Sequence, residues 1–382
     1  MSIEQIVEKA SRKGLAAQAT LKAQETSKVD FENDRLKSAE SSQRTEIQLR
    51  VIKDGKVGVS STTDPKDVDG VVKRAMEAAE FGSPAHYDLP EAQLLPEVKT
   101  FDPTIPTLTK PDMIHLGQGM MDMIKSYNPE ILAGAGVNHV QSKIEYANSA
   151  GARYTANHTD FGVSAGGQLV RGTDILFAGD SIRHKQRTLD PEEIAERAIN
   201  YFRMAEQIIP IQTGEYPVIF TPGGLIALLL SLALGMDGKN VLLGASPLAG
   251  KLGHSIADPR LTLVDDPLMD YGPNTASFDN EGVPKARLPL IENGVLRNFV
   301  YDLDTAGRAG AKPTGHGSTR SYSNLVIKPG DTPYAEMLKG IHQGLLVHEF
   351  LGLGQGNPIN GDFSVNLFLG YKIEDGEIVG RV

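Results

Sequence analysis

Apolar residues follow two rhythms along the chain, and each change of rhythm marks an element. Ile3, Ile6, Val7 and Ala10 recur at spacings of three and four, the period of one helix face, behind a Ser2/Gln5 capping-box pair. The same period returns in Val68, Val71, Val72, Ala75, Met76 and Ala79 after Asp64-Pro65, with Gly82 as a stop. It returns again in Ala195, Ala198, Ile199, Phe202 and Ala205 after Asp190-Pro191. In both cases the Asp-Pro pair predicts a cap followed by proline at the first helical position. A further helical pattern runs from Asp112 to Tyr127, and Thr332-Pro333 opens a short helix with Met337, Leu338 and Ile341. The most apolar stretch, Leu225–Met236, is roughly half as long as a bilayer crossing requires. It reads as a buried helix that starts at Thr221 with Pro222 in the first position.

Alternation with a period of two predicts the strands. Ile47, Leu49 and Val51 alternate with polar residues up to Asp54-Gly55, a pair suited to the positive φ angles of a tight hairpin, after which Val57 and Val59 return. The same syntax surrounds Asn293-Gly294 within 288–301 and Asp375-Gly376 within 372–382. The sequences flanking these hairpins do not match, so they are three uses of one turn chemistry and not a repeat. Residues 131–185 form a long strand-rich stretch with Asn148-Ser149-Ala150-Gly151 as its turn. Six of the 22 prolines lie between 84 and 111, which excludes a central strand or helix there and predicts an extended crossing segment.

The fold class is therefore α+β with mostly antiparallel or mixed sheets. The expected units are residues 1–83, the crossing segment 84–111, a central unit 112–212 that packs with the first, and a strand-rich C-terminal domain 213–382, shortened at its end.

Composition narrows the function. Hydrophobic residues make up 40% and charged residues 23%, the balance of a folded chain. The 38 basic residues against 48 acidic ones give a net charge of −10, and no basic run offers a duplex-binding surface. There is no cysteine, which fits a reducing compartment and removes thiolate ligands and nucleophiles. The N-terminal segment lacks the apolar core of a signal peptide, so the cytoplasm is the expected location.

The candidate chemistry is sparse. His348-Glu349 begins like a zinc-peptidase helix, but an HExxH site needs a second imidazole four residues on, and that position is Gly352. No two of the nine histidines stand at helical i, i+4 spacing. No G-x-S-x-G elbow or phosphate-loop pattern is present. The acidic pairs Asp265-Asp266, Asp279 with Glu281, and Asp302 with Asp304 read as solvated turn residues.

Several segments together resemble the TldD/PmbA family, also called modulators of DNA gyrase. They are Asp265-Asp266-Pro267, 278–284 (FDNEGVP), 291–296 (IENGVL), Tyr301-Asp302, Asn324-Leu325, Pro329-Gly330-Asp331, 361–364 (GDFS) and the Asn148–Gly151 turn. The resemblance spans nearly the whole chain and implies a heterodimeric metallopeptidase whose catalytic branch carries an HExxxH helix after a strand and a proline-glycine turn. The matching segment here, 225–234, contains no His or Glu, so the chain resembles the metal-free PmbA/TldE branch. The resemblance implies no catalytic, cofactor or metal residue in this chain, and zinc in a TldD-like HExxxH partner. The substrate it implies is unfolded or flexible peptide. Asn148, Ser149, Gly151, Asn357, Gly361, Asp362 and Ser364 are the expected peptide-groove residues. A second reading is a homodimeric binding regulator linked to gyrase or a toxin–antitoxin system. Family members continue past the point matching Val382, so either the chain is a shortened form or the edge of its last strand is covered by a symmetry mate or by the N-terminal half.

Overall fold

The computed structural model describes residues 2–187, 190–353, 356–361 and 364–382. The first half is built on one sheet. Helix α1 (Ile3–Ser11) leads into β1 (Ala16–Glu32), β2 (Arg35–Lys53) and β3 (Lys56–Thr62), followed by α2 (Val68–Glu80). The chain then crosses through an extended segment to α3 (Lys110–Tyr127), β4 (Leu132–Asn148), β5 (Arg153–Arg171), β6 (Asp174–His184) and α4 (Pro191–Met204). The six strands form an antiparallel sheet in the order β3-β2-β1-β4-β5-β6.

The second half begins with β7 (Val218–Phe220), α5 (Pro222–Met236) and α6 (Gly238–Leu242). It continues through β8 (Leu263–Asp265), β9 (Leu288–Glu292), β10 (Val295–Leu296), α7 (Leu303–Ala309) and β11 (Leu325–Ile327). It ends with α8 (Tyr334–Lys339), β12 (Gln343–Leu351), β13 (Asn366–Glu374) and β14 (Glu377–Arg381). One four-stranded sheet runs β10-β9-β8-β11 and the other β14-β13-β12-β7, where only β7 and β12 pair in parallel. The α+β class follows directly, with antiparallel and mixed sheets.

Alternation in the large sheet sorts its two faces. Ala17 and Ala19 of β1 face Ile6, Val7, Val72 and Ala75 of α1 and α2 at one end. Val29, Val137 and Val163 on the same face meet Met120, Ile124, Ile199 and Phe202 of α3 and α4 at the other. Leu346, Leu369 and Tyr371 join this second cluster, so the β12/β13 sheet shares a core with the first half. Asp190 and Thr109 cap α4 and α3 with their side chains.

Three sequence expectations shift. The Asp64-Pro65 pair does not cap α2. Asp67 does so through Gly70 N, while Asp64 accepts from Lys66 N in the preceding turn. Helix α8 starts at Tyr334, with Pro333 at the cap position in place of Thr332. Helix α5 is not buried: Gly224, Ala227, Gly235 and Met236 are its buried positions, and Ile226 is 54% exposed. The reason is close backbone packing on one side only, since a Cβ at Gly224 would lie 2.4 Å from Val347 O.

The outer edge of β14 is covered from within the chain. Ile209 N donates to Arg381 O at 2.8 Å, and Arg381 N donates to Gln207 O at 2.8 Å. Of the ways an exposed last strand could be protected, the structure uses a segment that follows α4.

His158 sits on the sheet face opposite the helices and is 7% exposed. Burial, with Lys185 and Lys22 adding to it, pushes its imidazole down to about 4. The unfolded chain therefore binds more protons than the native one between the ordinary histidine value, about 6.5, and pH 4. Stability is expected to be complete above that window and to fall by up to about 3 kcal/mol on acidification through it. Urea midpoints measured against pH for wild type and His158→Gln check this. The variant should lose less across the window, and identical curves would refute the assignment.

Candidate functional site

A cleft of about 1030 Å³ opens between the two halves. Its floor is the free end of the large sheet. Ser164, Gly166 and Gln168 of β5 pair with Ser181, Gly179 and Phe177 of β6, and all six share the face opposite the helices. Two facing glycines, Gly166 and Gly179, leave bare backbone at its centre, because a Cβ at Gly166 would lie 2.6 Å from Ala178 O. Leu132 and Phe177, 42% and 46% exposed, supply apolar floor on either side. An exposed apolar surface inside a concave site is a place for a ligand to cover.

The opposite wall comes from the β7–α5 turn and from β12. Thr221 caps α5 by accepting from Gly224 N at 3.3 Å, with Pro222 in the first turn. Beside it, β12 bulges: Val347 pairs with Gly370 and Glu349 with Leu369, which leaves His348 out of the ladder. A bulge re-aims side chains and bends the strand. Consecutive residues His348, Glu349 and Phe350 thereby all reach the cleft.

His348 is fully engaged. Its Nδ1 lies 3.0 Å from Thr221 Oγ1, and its ring lies 4.0 Å from that of Tyr201 on α4. With Thr221 Oγ1 accepting from Gly224 N, the hydroxyl proton can point at Nδ1 of a neutral imidazole or at His348 O, 3.4 Å away. Burial pushes the imidazole below its ordinary value, consistent with that state. His348 thus clasps α4 and the start of α5 to β12. Asp180 at the floor lies 3.5 Å from Arg197, which also donates to Glu193 at 2.6 Å.

No metal fits here. The α5 segment beside the cleft offers no His, Glu or Asp, and among the described residues no three His, Asp or Glu side chains cluster as ligands.

The expected groove residues lie elsewhere. Asn148 is fully buried at the β4–β5 turn, donating to Pro90 O at 2.7 Å and accepting from Ala152 N at 3.0 Å, while Ser149 Oγ accepts from Ala17 N. Gly151 takes φ 97° in that turn. The cleft floor lies roughly 45 Å away along the strands. Asn357, Gly361 and Ser364 belong to the exposed β12–β13 connection, whose turn Pro358–Asn360 packs on α5. Asp362 lies outside the described residues. The structure does not bring the two groups together. The residues that sequence reasoning missed are Asp180, Arg197, Tyr201, Thr221 and the His348–Phe350 bulge. One signal was available: Gly166-Gly167 within a strand pattern marks close backbone approach or a ligand surface.

The acidic pairs are also corrected. Asp265, Asp279, Glu281 and Asp302 are buried, not solvated. Asp279 accepts from the backbone N–H of Glu281, Val283 and Gly317 at 2.8, 3.0 and 2.7 Å. Glu281 receives Arg50 of β2 at 2.7 Å and Leu303 N at 2.9 Å, while its own carbonyl accepts from Tyr146 of β4 at 2.8 Å. Gln18 of β1 donates to Asn280 O at 2.7 Å. The 278–284 segment is therefore the bolt between the halves. Burial pushes the Glu281 carboxyl up, and the Arg50 cation opposes that.

Two family models match the chain: the PmbA/TldA metallopeptidase domain 1 over residues 21–79 and the PmbA/TldA metallopeptidase C-terminal domain over residues 213–382. The chain belongs to the PmbA/TldD family. An uncharacterized protein of Methanocaldococcus jannaschii is 27% identical over 99% of this chain and 90% of its own length. A protein of Methanothermobacter thermautotrophicus named metalloprotease is 27% identical over 94% of this chain and 81% of its own. The zinc metalloprotease TldD homolog of Saccharolobus solfataricus is 32% identical over 44% of this chain and 39% of its own length. Among solved structures, TldE from Thermococcus kodakarensis superposes with a TM-score of 0.91 at 24% identity, covering 99% of this chain and 89% of that one. A Thermotoga maritima protein described as a modulator of a DNA gyrase gives 0.92 at 24% identity, covering 100% and 89%. These two likenesses establish a shared fold. No helix among the described residues of this family member is long and apolar enough to cross a membrane.

Proposed function

We propose that this PmbA/TldD family chain is a TldE-like, non-catalytic subunit of a cytoplasmic metallopeptidase. In this reading a TldD-like partner carries the HExxxH helix and the zinc, and the present chain holds flexible peptide in the cleft. The observation that carries it is α5. It follows β7 through Thr221-Pro222-Gly223 into the cleft wall, as the family's metal-binding helix would, yet apolar residues stand where ligands and a general base belong. The half-exposed apolar surface of α5 supports pairing with another subunit.

Binding is then a matter of shape and backbone. The bare glycine floor admits an extended chain close to the sheet, where β6, the last strand of the sheet order, has no second strand partner among the described residues and can take an added strand. His348 holds the wall at a fixed distance from that edge.

The test is purification of the untagged chain from its native cell with metal analysis of whatever travels with it. The expected result is a complex with an HExxxH protein holding about one zinc per pair, and none on the isolated chain. One zinc per isolated chain, lost in His348→Ala, would overturn the reading. A homodimer without such a partner would favour a stand-alone binding regulator.

A further inference from the structure

Within the cleft one charge is left over. Asp180 faces Arg197, and Glu32 is paired with Lys37. Glu349 has no ion pair or hydrogen bond among the described residues. The positions not described contain no lysine or arginine that could serve it. The bulge at His348 sets this carboxylate in the wall beside Phe350, next to the first turn of α5, where a Cβ at Gly223 would come within 3.0 Å of His348 O. Neighbouring groups withhold part of its water, which pushes the carboxyl above its ordinary value. His348 next to it is turned to Thr221 and Tyr201 and makes no ion pair with Glu349.

An exposed carboxylate at the cleft wall, partly shielded by its neighbours, next in sequence to Phe350 and without a counter-ion among the described residues, is matched by an ammonium or guanidinium group. We propose that Glu349 is a specificity-determining residue that selects a lysine or arginine side chain of a peptide lying extended in the cleft. This rests on the cleft being the peptide site, as argued above. The bulge is the device that makes the selection possible: in a regular strand His348 and Glu349 would point to opposite faces.

Three extended ten-residue peptides of Ser, Thr and Val, carrying one central lysine, norleucine or glutamate, test this by titration into the full chain. The lysine peptide is expected to bind about fivefold tighter than the norleucine peptide, the scale of a partly exposed ion pair. The glutamate peptide should bind weakest. Raising the salt concentration should shrink the preference, because such a pair is screened. Glu349→Gln, a change of charge with little change of shape, should bring the lysine peptide to the norleucine level. Equal binding of all three peptides would overturn the inference and leave the cleft reading intact. A lysine preference that survives Glu349→Gln would overturn the assignment to this residue. Failure of every peptide to bind would overturn the cleft reading, and this inference with it.

Discussion

Replacing Arg50 by methionine is expected to lower the unfolding free energy by about 3–5 kcal/mol. The Arg50 side chain is 11% exposed and that of Glu281 is 4% exposed, so neither can turn to water when its partner is lost. The variant would keep a buried carboxylate with one remaining donor, Leu303 N. Much of the cost therefore belongs to the stranded charge. Two further measurements separate that charge from lost packing. Adding Glu281→Gln removes the charge and keeps an oxygen for Leu303 N, so the double variant should recover most of the loss. In Arg50→Met alone, Glu281 with its raised value stays protonated at low pH, so the deficit should be small near pH 4 and grow as pH rises. Urea unfolding at several pH values reads all three. A single variant within about 1 kcal/mol of wild type at neutral pH would mean that the pair does not bolt the halves together.

Peptide cleavage is expected to be absent from the purified chain and to appear when an HExxxH family partner is added. The contrast should be all or none, because no donor set for a metal stands among the described residues, the chain has no cysteine, and the histidine in the cleft is tied into the wall. The assay is hydrolysis of an unstructured peptide by each chain alone and by the mixture, with and without chelator. Chelator-sensitive cleavage by this chain after repeated purification would sink the subunit reading. Unchanged cleavage when this chain is added to an active partner would show that it is not needed.

Local chemistry made much of the fold legible. Asp54-Gly55, Asn293-Gly294 and Asp375-Gly376 each form the tight turn that their positive φ angles allow. Asp190 and Thr221 cap the helices they precede. The first long hairpin was hard to see because the middle of its strands, residues 22–28 and 37–46, is mostly polar on both faces, and its turn at Asn33-Asp34 lacks the usual glycine. The failure at α2 has the opposite character: two competent caps stand three residues apart, and tertiary packing of Val71 and Ala75 selects Asp67. The site was less legible than the fold. Its walls join β6, α4 and β7 to β12, which follows β7 by more than a hundred residues, and its key geometry is a bulge that no composition announces. The family motif was easy to find and easy to misassign, since its acidic residues look like turn polarity until Arg50 and three backbone N–H groups close around them.

The bolt formed by Arg50, Glu281 and Tyr146 has a kinetic side as well. Swinging the halves apart would break this pair and also uncover Leu346, Leu369 and Tyr371, which share a core with the first half, at about 1.5–3 kcal/mol for each side chain exposed. A hinge with that penalty is open in well under one molecule in a hundred at any moment. The slot therefore keeps a fixed gauge. In the proposed peptide-holding role, a strand could be threaded along it whereas a folded domain could not wait for it to gape, and the frame would select unstructured chains before any side chain is read.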